Sequence, residues 1–170
     1  MFLIGDSHSN SLETGKLGGD LAARLDRLFA AIQAAGVRKI IVVGQTPTWD
    51  PDIPHLVTQD FIKNDQQLTS RMLTGIVPAS LSMDAMMRNL PFPSGVSYLS
   101  IKDTLCDAAG CLTGIGPNPE AEPVVWDYGH LTSYGSAYVA NTLLKDALEK
   151  ALGLGAEPAA SGAINQRFAQ

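Results

Sequence analysis

The chain has 170 residues, 45% hydrophobic and 17% charged, a globular composition and not a disordered one. That length suits one domain and can bury a core without metals or a dense disulfide framework. Against 17 Asp and Glu stand 12 Lys and Arg, with net charge −5 and no basic block, so nucleic acid and anionic membrane surfaces are disfavoured as partners. No stretch reaches the roughly 20 apolar residues that span a bilayer. Met1-Phe2-Leu3-Ile4-Gly5 lacks the charged and apolar regions of a signal peptide, which suits a cytosolic chain or a segment of a longer exported one.

In chain order, Phe2-Leu3-Ile4 closed by Gly5 reads as a short buried strand, followed by a polar stretch from Asp6 to Gly19. Asp20 is placed to cap a helix whose apolar positions are Leu21, Leu25, Leu28, Phe29 and Ile32, ending at Gly36. Lys39-Ile40-Ile41-Val42-Val43-Gly44 is a β-branched run of the kind that parallel sheets bury on both faces. A Pro- and Asp-rich loop spans 45–54, a polar segment with helical content spans about 60–73, and Ser82 to Met87 forms a short helix stopping before Pro91. The methionines there read as core filling or lid packing, not as a cofactor box. Val96 to Ile101 alternates like a strand, Pro123-Val124-Val125-Trp126 is an apolar strand-like run ending at Asp127, and a last helix runs from about Ser133 to Leu152 with Gly153 ending it.

Strands alternating with helices predict an α/β layered sheet, with chemistry in the loops at the carboxyl ends of the strands. The expected division is one domain over 1–153 and a loose tail over 154–170. Cys106 and Cys111 are either a small disulfide loop or two reduced thiols; Ala108-Ala109-Gly110 reads as a turn and favours the disulfide. Two thiols cannot complete a zinc site. Asp50 and Asp52 have ligand-like spacing but no third partner nearby, which reads as a solvated loop, so no metal site is expected.

Two strand ends carry candidate chemistry: Gly5-Asp6-Ser7-His8 and Trp126-Asp127-Tyr128-Gly129-His130. A serine hydroxyl is a poor nucleophile until a base takes its proton, and the base is usually an imidazole held by a carboxylate. Asp127 and His130 stand three apart, which in a turn puts both side chains on one face, and the strand before them would bring them to the sheet edge where Ser7 lies. Plainer roles compete. Ser7 can cap the next segment, and Asp127 with His130 can be a helix cap and a surface histidine. Asp6 reads as fixing the turn, His8 as structural or substrate-lining, and His55 as exposed. Trp49 and Trp126 read as packing residues with sugar stacking as the alternative. Tyr128 is as easily site-lining as not. Gly129 and Gly135 read as permitting a turn and close helix packing.

The two motifs together resemble the SGNH (GDSL-like) hydrolases. More narrowly, the chain resembles the SGNH domain fused to bacterial membrane acyltransferases (acyltransferase 3 type) that O-acetylate surface polysaccharides. The resemblance rests on Gly5-Asp6-Ser7-His8, on the pair Cys106 and Cys111, on the segment Lys39 to Pro47, and on Asp127-Tyr128-Gly129-His130-Leu131-Thr132-Ser133-Tyr134-Gly135-Ser136; it covers 1–10 and about 37–152. It implies a flavodoxin-like three-layer α/β/α sandwich with a parallel sheet, here reduced by one or two strands. Ser7 would be the nucleophile, His130 the base and Asp127 its orienter. The reaction would be hydrolysis or transfer of acyl groups, chiefly O-acetyl, on carbohydrates at the periplasmic side of a membrane.

No Gly-x-Asn-Asp block supplies the family's usual oxyanion donors. The Ser7 backbone N–H remains, and Asn10 and Gln45 are candidate substitutes. The expected partners are a small acyl ester or acylated carbohydrate and a membrane acyltransferase domain; no cofactor is implied. A catalytically inactive glycan-binding or scaffolding domain is the competing reading. A flavodoxin-like nucleotide binder is weaker, because residues 5–20 hold neither phosphate-loop pattern.

Overall fold

The computed structural model describes residues 2–5, 17–65, 67–116 and 122–154. The central element is β2 (Ile40–Val43), whose four residues are all buried. It lies between β1 (Phe2–Gly5) and β4 (Val96–Leu99), parallel to both, with Leu3 and Ser97 paired to Ile41. Its period-two alternation divides the interior. Ile40 and Val42 join Phe29 of α1 (Leu17–Ala34) in one cluster, with Leu25 and Ile32 packed against it. Ile41 and Val43 point into the larger cluster, which holds Trp49, Ile53, Leu56, Val124, Val125 and Val139. Leu143, Leu144, Ala147, Leu148 and Ala151 of the C-terminal helix cover that second face. Helix, sheet and helix therefore stack as three layers of an α/β sandwich, with three parallel strands among the described residues.

Several boundaries differ from the sequence expectation. Helix α1 starts at Leu17, so Asp20 is a first-turn residue and not the cap. Helix α2 is Ile53–Lys63 and not 60–73: the Asp52 carboxylate accepts the His55 amide at 3.0 Å, and Pro54 suits the first turn, where no amide is needed. Asp52 is thus a cap within the expected loop. Residues Arg71–Met72 form β3 instead of a helix end. Helix α3 runs Pro78–Arg88, longer than expected, and buries Met83, as core filling requires. Ser100 leaves β4 to cap α4 (Ile101–Leu105), accepting the Asp103 amide at 3.0 Å.

Strands β5 (Cys106–Asp107) and β6 (Gly110–Leu112) form a hairpin that β3 extends into an antiparallel three-stranded sheet. Cys106 and Cys111 are directly paired residues and are joined by a disulfide, which settles the two cysteine alternatives. The Arg71 guanidinium fastens this unit, donating to the Leu105 and Gly110 carbonyls at 3.0 and 2.9 Å.

The run Pro123–Trp126 is not a strand of the parallel sheet. It makes isolated antiparallel bridges, Gly114 to Pro123 and Val125 to Leu131, and buries Val124 and Val125 almost fully. Burial without a ladder produces the same apolar run as a central strand. The final helix begins at Ser133, capped by Thr132, whose hydroxyl accepts the Gly135 amide at 3.0 Å. It is continuous as expected but contains a π-helical turn, Ala140–Leu144, between α5 (Ser133–Val139) and α6 (Lys145–Leu152). Gly36 and Gly153 follow α1 and α6 at φ of 89° and 73°, the left-handed conformation of a helix end. Of the tail expected over 154–170, all but Leu154 lies outside the described residues, and among the described residues no helix is long and apolar enough to cross a membrane.

A buried polar cluster ties α3 to β4. Asp84, 3% exposed, accepts from the Tyr98 hydroxyl at 2.8 Å, the Ser100 hydroxyl at 2.6 Å and the Arg88 guanidinium at 2.9 Å. Arg88 also pairs with Asp103. Burial and the bond to Asp84 push the Tyr98 phenol far above its ordinary value.

Candidate active site

Asp127 and His130 come together as their spacing suggests. The sharp turn from Trp126 is closed by the Trp126 amide donating to the His130 carbonyl at 3.1 Å. Within it, Asp127 Oδ1 accepts the amides of Gly129 and His130 at 2.9 and 2.8 Å, while Oδ2 lies 2.6 Å from His130 Nδ1. The carboxylate is therefore fixed by the backbone on one oxygen and orients the imidazole with the other. Burial alone would raise its pKa. The His130 and Gly129 amides and the imidazole outweigh burial, and Asp127 titrates below the ordinary carboxylate range. An ionised Asp127 makes Nδ1 the protonated nitrogen, so Nε2 carries the lone pair of a general base.

The loop that follows β2 holds this turn in place. The Trp49 amide donates to the Tyr128 carbonyl at 2.8 Å, and the Ile53 amide to the Asp127 carbonyl at 3.3 Å. Trp49 is buried at 4% exposure, which anchors the loop in the core. Gly129 packs closely on the loop: a Cβ there would lie 3.0 Å from the Thr48 methyl, which would have to shift by a few tenths of an ångström. Because the loop leaves the carboxyl end of β2, the Asp127–His130 turn stands on the sheet side predicted for chemistry. The holding contacts come from this loop and not from a strand before Asp127.

Gly5, the last residue of β1, pairs with Val43 at that same edge. Ser7 follows two residues later in the sequence. Ser7 itself, with Asp6, His8 and Asn10, lies outside the described residues. Gln45 sits just beyond β2, buried, with its side-chain amide donating to the Ser80 carbonyl at 3.3 Å. The ring of Tyr128 meets His130 edge-on at 5.2 Å between centroids, so it lines the imidazole. His55 is exposed and bonded to Gln59.

The two tryptophans separate. Trp49 packs in the core, whereas Trp126 is 62% exposed and stacks on His130 at 5.8 Å and 27°. The sequence reading undervalued Trp126, and its position next to Asp127 was the available signal. The anchoring by Trp49 and Ile53 joins segments more than 70 residues apart and has no local signature.

A family model described as "SGNH domain (fused to AT3 domains)" matches residues 13–145, which include Asp127 and His130 and begin after Ser7. The chain is also similar to the periplasmic domain of the lipopolysaccharide acetyltransferase of Salmonella ser. Paratyphi A, at 25% identity and a TM-score of 0.69. That match covers 86% of this chain and 55% of the other, so the chain spans about half of that structure's length. No curated protein matches. The chain belongs to the family of SGNH domains fused to AT3 domains.

Proposed function

We propose that residues 1–153 act as one SGNH serine esterase or acyltransferase domain that works beside a membrane acyltransferase domain on the periplasmic side. Its substrates are O-acyl groups, chiefly O-acetyl, on bacterial surface carbohydrates. The observation that carries this reading is the 2.6 Å contact between Asp127 Oδ2 and His130 Nδ1, with the carboxylate held ionised by two amides. Such a pair serves to fix the tautomer and orientation of the imidazole. Ser7, just beyond the neighbouring strand end, is the alcohol available to it.

In this reading His130 Nε2 takes the Ser7 proton as Oγ bonds to the acyl carbonyl carbon. The tetrahedral intermediate collapses by breaking the bond to the donor's oxygen, and His130 returns the proton to that oxygen. A sugar hydroxyl or water then attacks the acyl-serine by the same steps in reverse. The Ser7 amide would be one donor to the oxyanion and Asn10 the candidate for another, whereas the buried Gln45 amide is already committed to the Ser80 carbonyl.

The test is hydrolysis of p-nitrophenyl acetate by the wild-type chain and by Ser7→Ala. The expected result is a loss of about 10³-fold or more in the variant. Equal rates in the two proteins would discard the hydrolase and leave a glycan-binding or scaffolding domain.

A further inference from the structure

Beside the Asp127–His130 turn lies a pocket of about 390 Å³ that the mechanism above does not use. Its walls include Ile53, Val57, Leu68, Pro123, Val125 and Trp126. This volume is near the lower end of the roughly 300–1,000 Å³ range of small-ligand clefts, suited to one small molecule and not to a length of polymer. Trp126 belongs to both places: it forms a wall of the pocket and stacks on His130. A tryptophan left 62% exposed at such a junction offers a wide apolar face that a ligand can cover.

The polar groups narrow the ligand. Among the described residues no charged side chain lines the pocket, so an anionic ligand would find no counter-charge. Three threonines complete the wall, and each already gives its proton to the protein. Thr58 donates to the Pro54 carbonyl at 2.7 Å, Thr113 to the Thr69 carbonyl at 2.6 Å, and Thr69 to the Asp60 carboxylate. A hydroxyl whose proton is committed presents only lone pairs. The described lining therefore fits a neutral ligand that carries hydrogen-bond donors for these acceptors and shows an apolar face to Trp126, Val57 and Leu68. A sugar ring has both features, whereas an alkyl chain brings no donor and leaves the acceptors unpaired.

We propose that this pocket is the subsite for a neutral pyranose ring, and that Trp126 is the wall it shares with the catalytic pair. That the ring belongs to an acylated substrate rests on the function proposed above; the pocket chemistry stands apart from it.

Saturation-transfer NMR titration tests this on the full chain. The probes are the methyl pyranosides of gluco, galacto, manno and rhamno configuration, with sodium octanoate as the rival occupant. At least one pyranoside should bind saturably in the millimolar range, and octanoate should not. Thr58→Phe, which fills the pocket from an exposed position, and Trp126→Ala should each weaken that binding about tenfold or more with circular dichroism unchanged. Ser7→Ala, which removes the proposed nucleophile, should bind the sugar as the wild type does. The subsite is overturned if no pyranoside saturates, if both variants bind like the wild type, or if octanoate alone binds. Sugar binding without esterase activity would sink the catalytic reading and keep the subsite; esterase activity without sugar binding would do the reverse.

Discussion

Asp84 and Asp127 invite comparison because each carboxylate is held by several donors near the carboxyl end of the parallel sheet, yet the two clusters end differently. Around Asp84 the partners are two hydroxyls and a guanidinium, and the carboxylate itself is closed off: Tyr98 and Ser100 donate to it, and Arg88, though 43% exposed, is tied both to it and to Asp103. Around Asp127 the donors are two amides of its own turn and one imidazole, and the His130 side chain remains 43% exposed. A closed network of this kind joins a helix to a strand. An open one leaves a nitrogen facing outward with its tautomer already chosen. The same residue type thus serves cohesion in one place and, on the function proposed above, proton transfer in the other, and the difference lies in whether the last partner is tied down.

Substitution should separate the two roles. Asp127→Asn keeps an oxygen for the Gly129 and His130 amides, so the turn survives, but its NH₂ faces Nδ1 and selects the wrong tautomer. The expected outcome is a fall in kcat of roughly 10⁴-fold on p-nitrophenyl acetate with the melting temperature near that of the wild type. A small kinetic effect would mean that Asp127 does not orient a catalytic imidazole. Asp84→Ala should behave in the opposite way. It strands the Tyr98 and Ser100 hydroxyls and leaves Arg88 with Asp103 as its remaining carboxylate partner, at a cost of about 3 kcal/mol in urea unfolding. The protein that remains folded should keep its esterase rate, because Asp84 touches none of the Asp127–His130 turn. Unchanged stability in this variant would show that the cluster does not hold α3 to the sheet.

What could be read in advance follows from how local each signal is. The parallel strand at Ile40–Val43, the helix carrying Leu25, Phe29 and Ile32, and the final helix all announce themselves through periodicity over a few turns. The Asp127–His130 pair is legible for the same reason, since three residues of spacing suffice. Helix α2 was displaced because Asp52 and Pro54, read there as loop residues, are equally a cap and a first-turn proline. Val124 and Val125 resemble a central strand because burial and pairing leave the same composition; their bridges run to Thr113, Leu131 and Thr132, within about a dozen residues, through backbone groups whose pairing composition does not reveal. The hooks from Trp49 and Ile53 onto the Asp127 turn are hydrogen bonds of backbone amides, which any residue type but proline can make. Side-chain identity therefore carried no trace of them.

The smallest expected effect concerns acid. Asp127 is partly exposed, and its depressed pKa is the balance between burial, which raises it, and the His130 and Gly129 amides with the imidazole, which lower it further. A carboxylate whose folded pKa lies below its unfolded value adds stability that is fully present above the unfolded value, about 3.9, and fades as the pH drops through the folded one. Urea midpoints of the wild type and Asp127→Asn, measured from about pH 7 down to pH 3, should therefore keep a constant separation at first and converge only in the most acidic samples. Separation that grows on acidification would mean that burial dominates and that the carboxyl holds a proton more tightly than in the unfolded chain. Such a carboxyl would be a donor toward His130 Nδ1 over part of the working range, would favour the other tautomer, and would leave Nε2 without the lone pair that Ser7 requires.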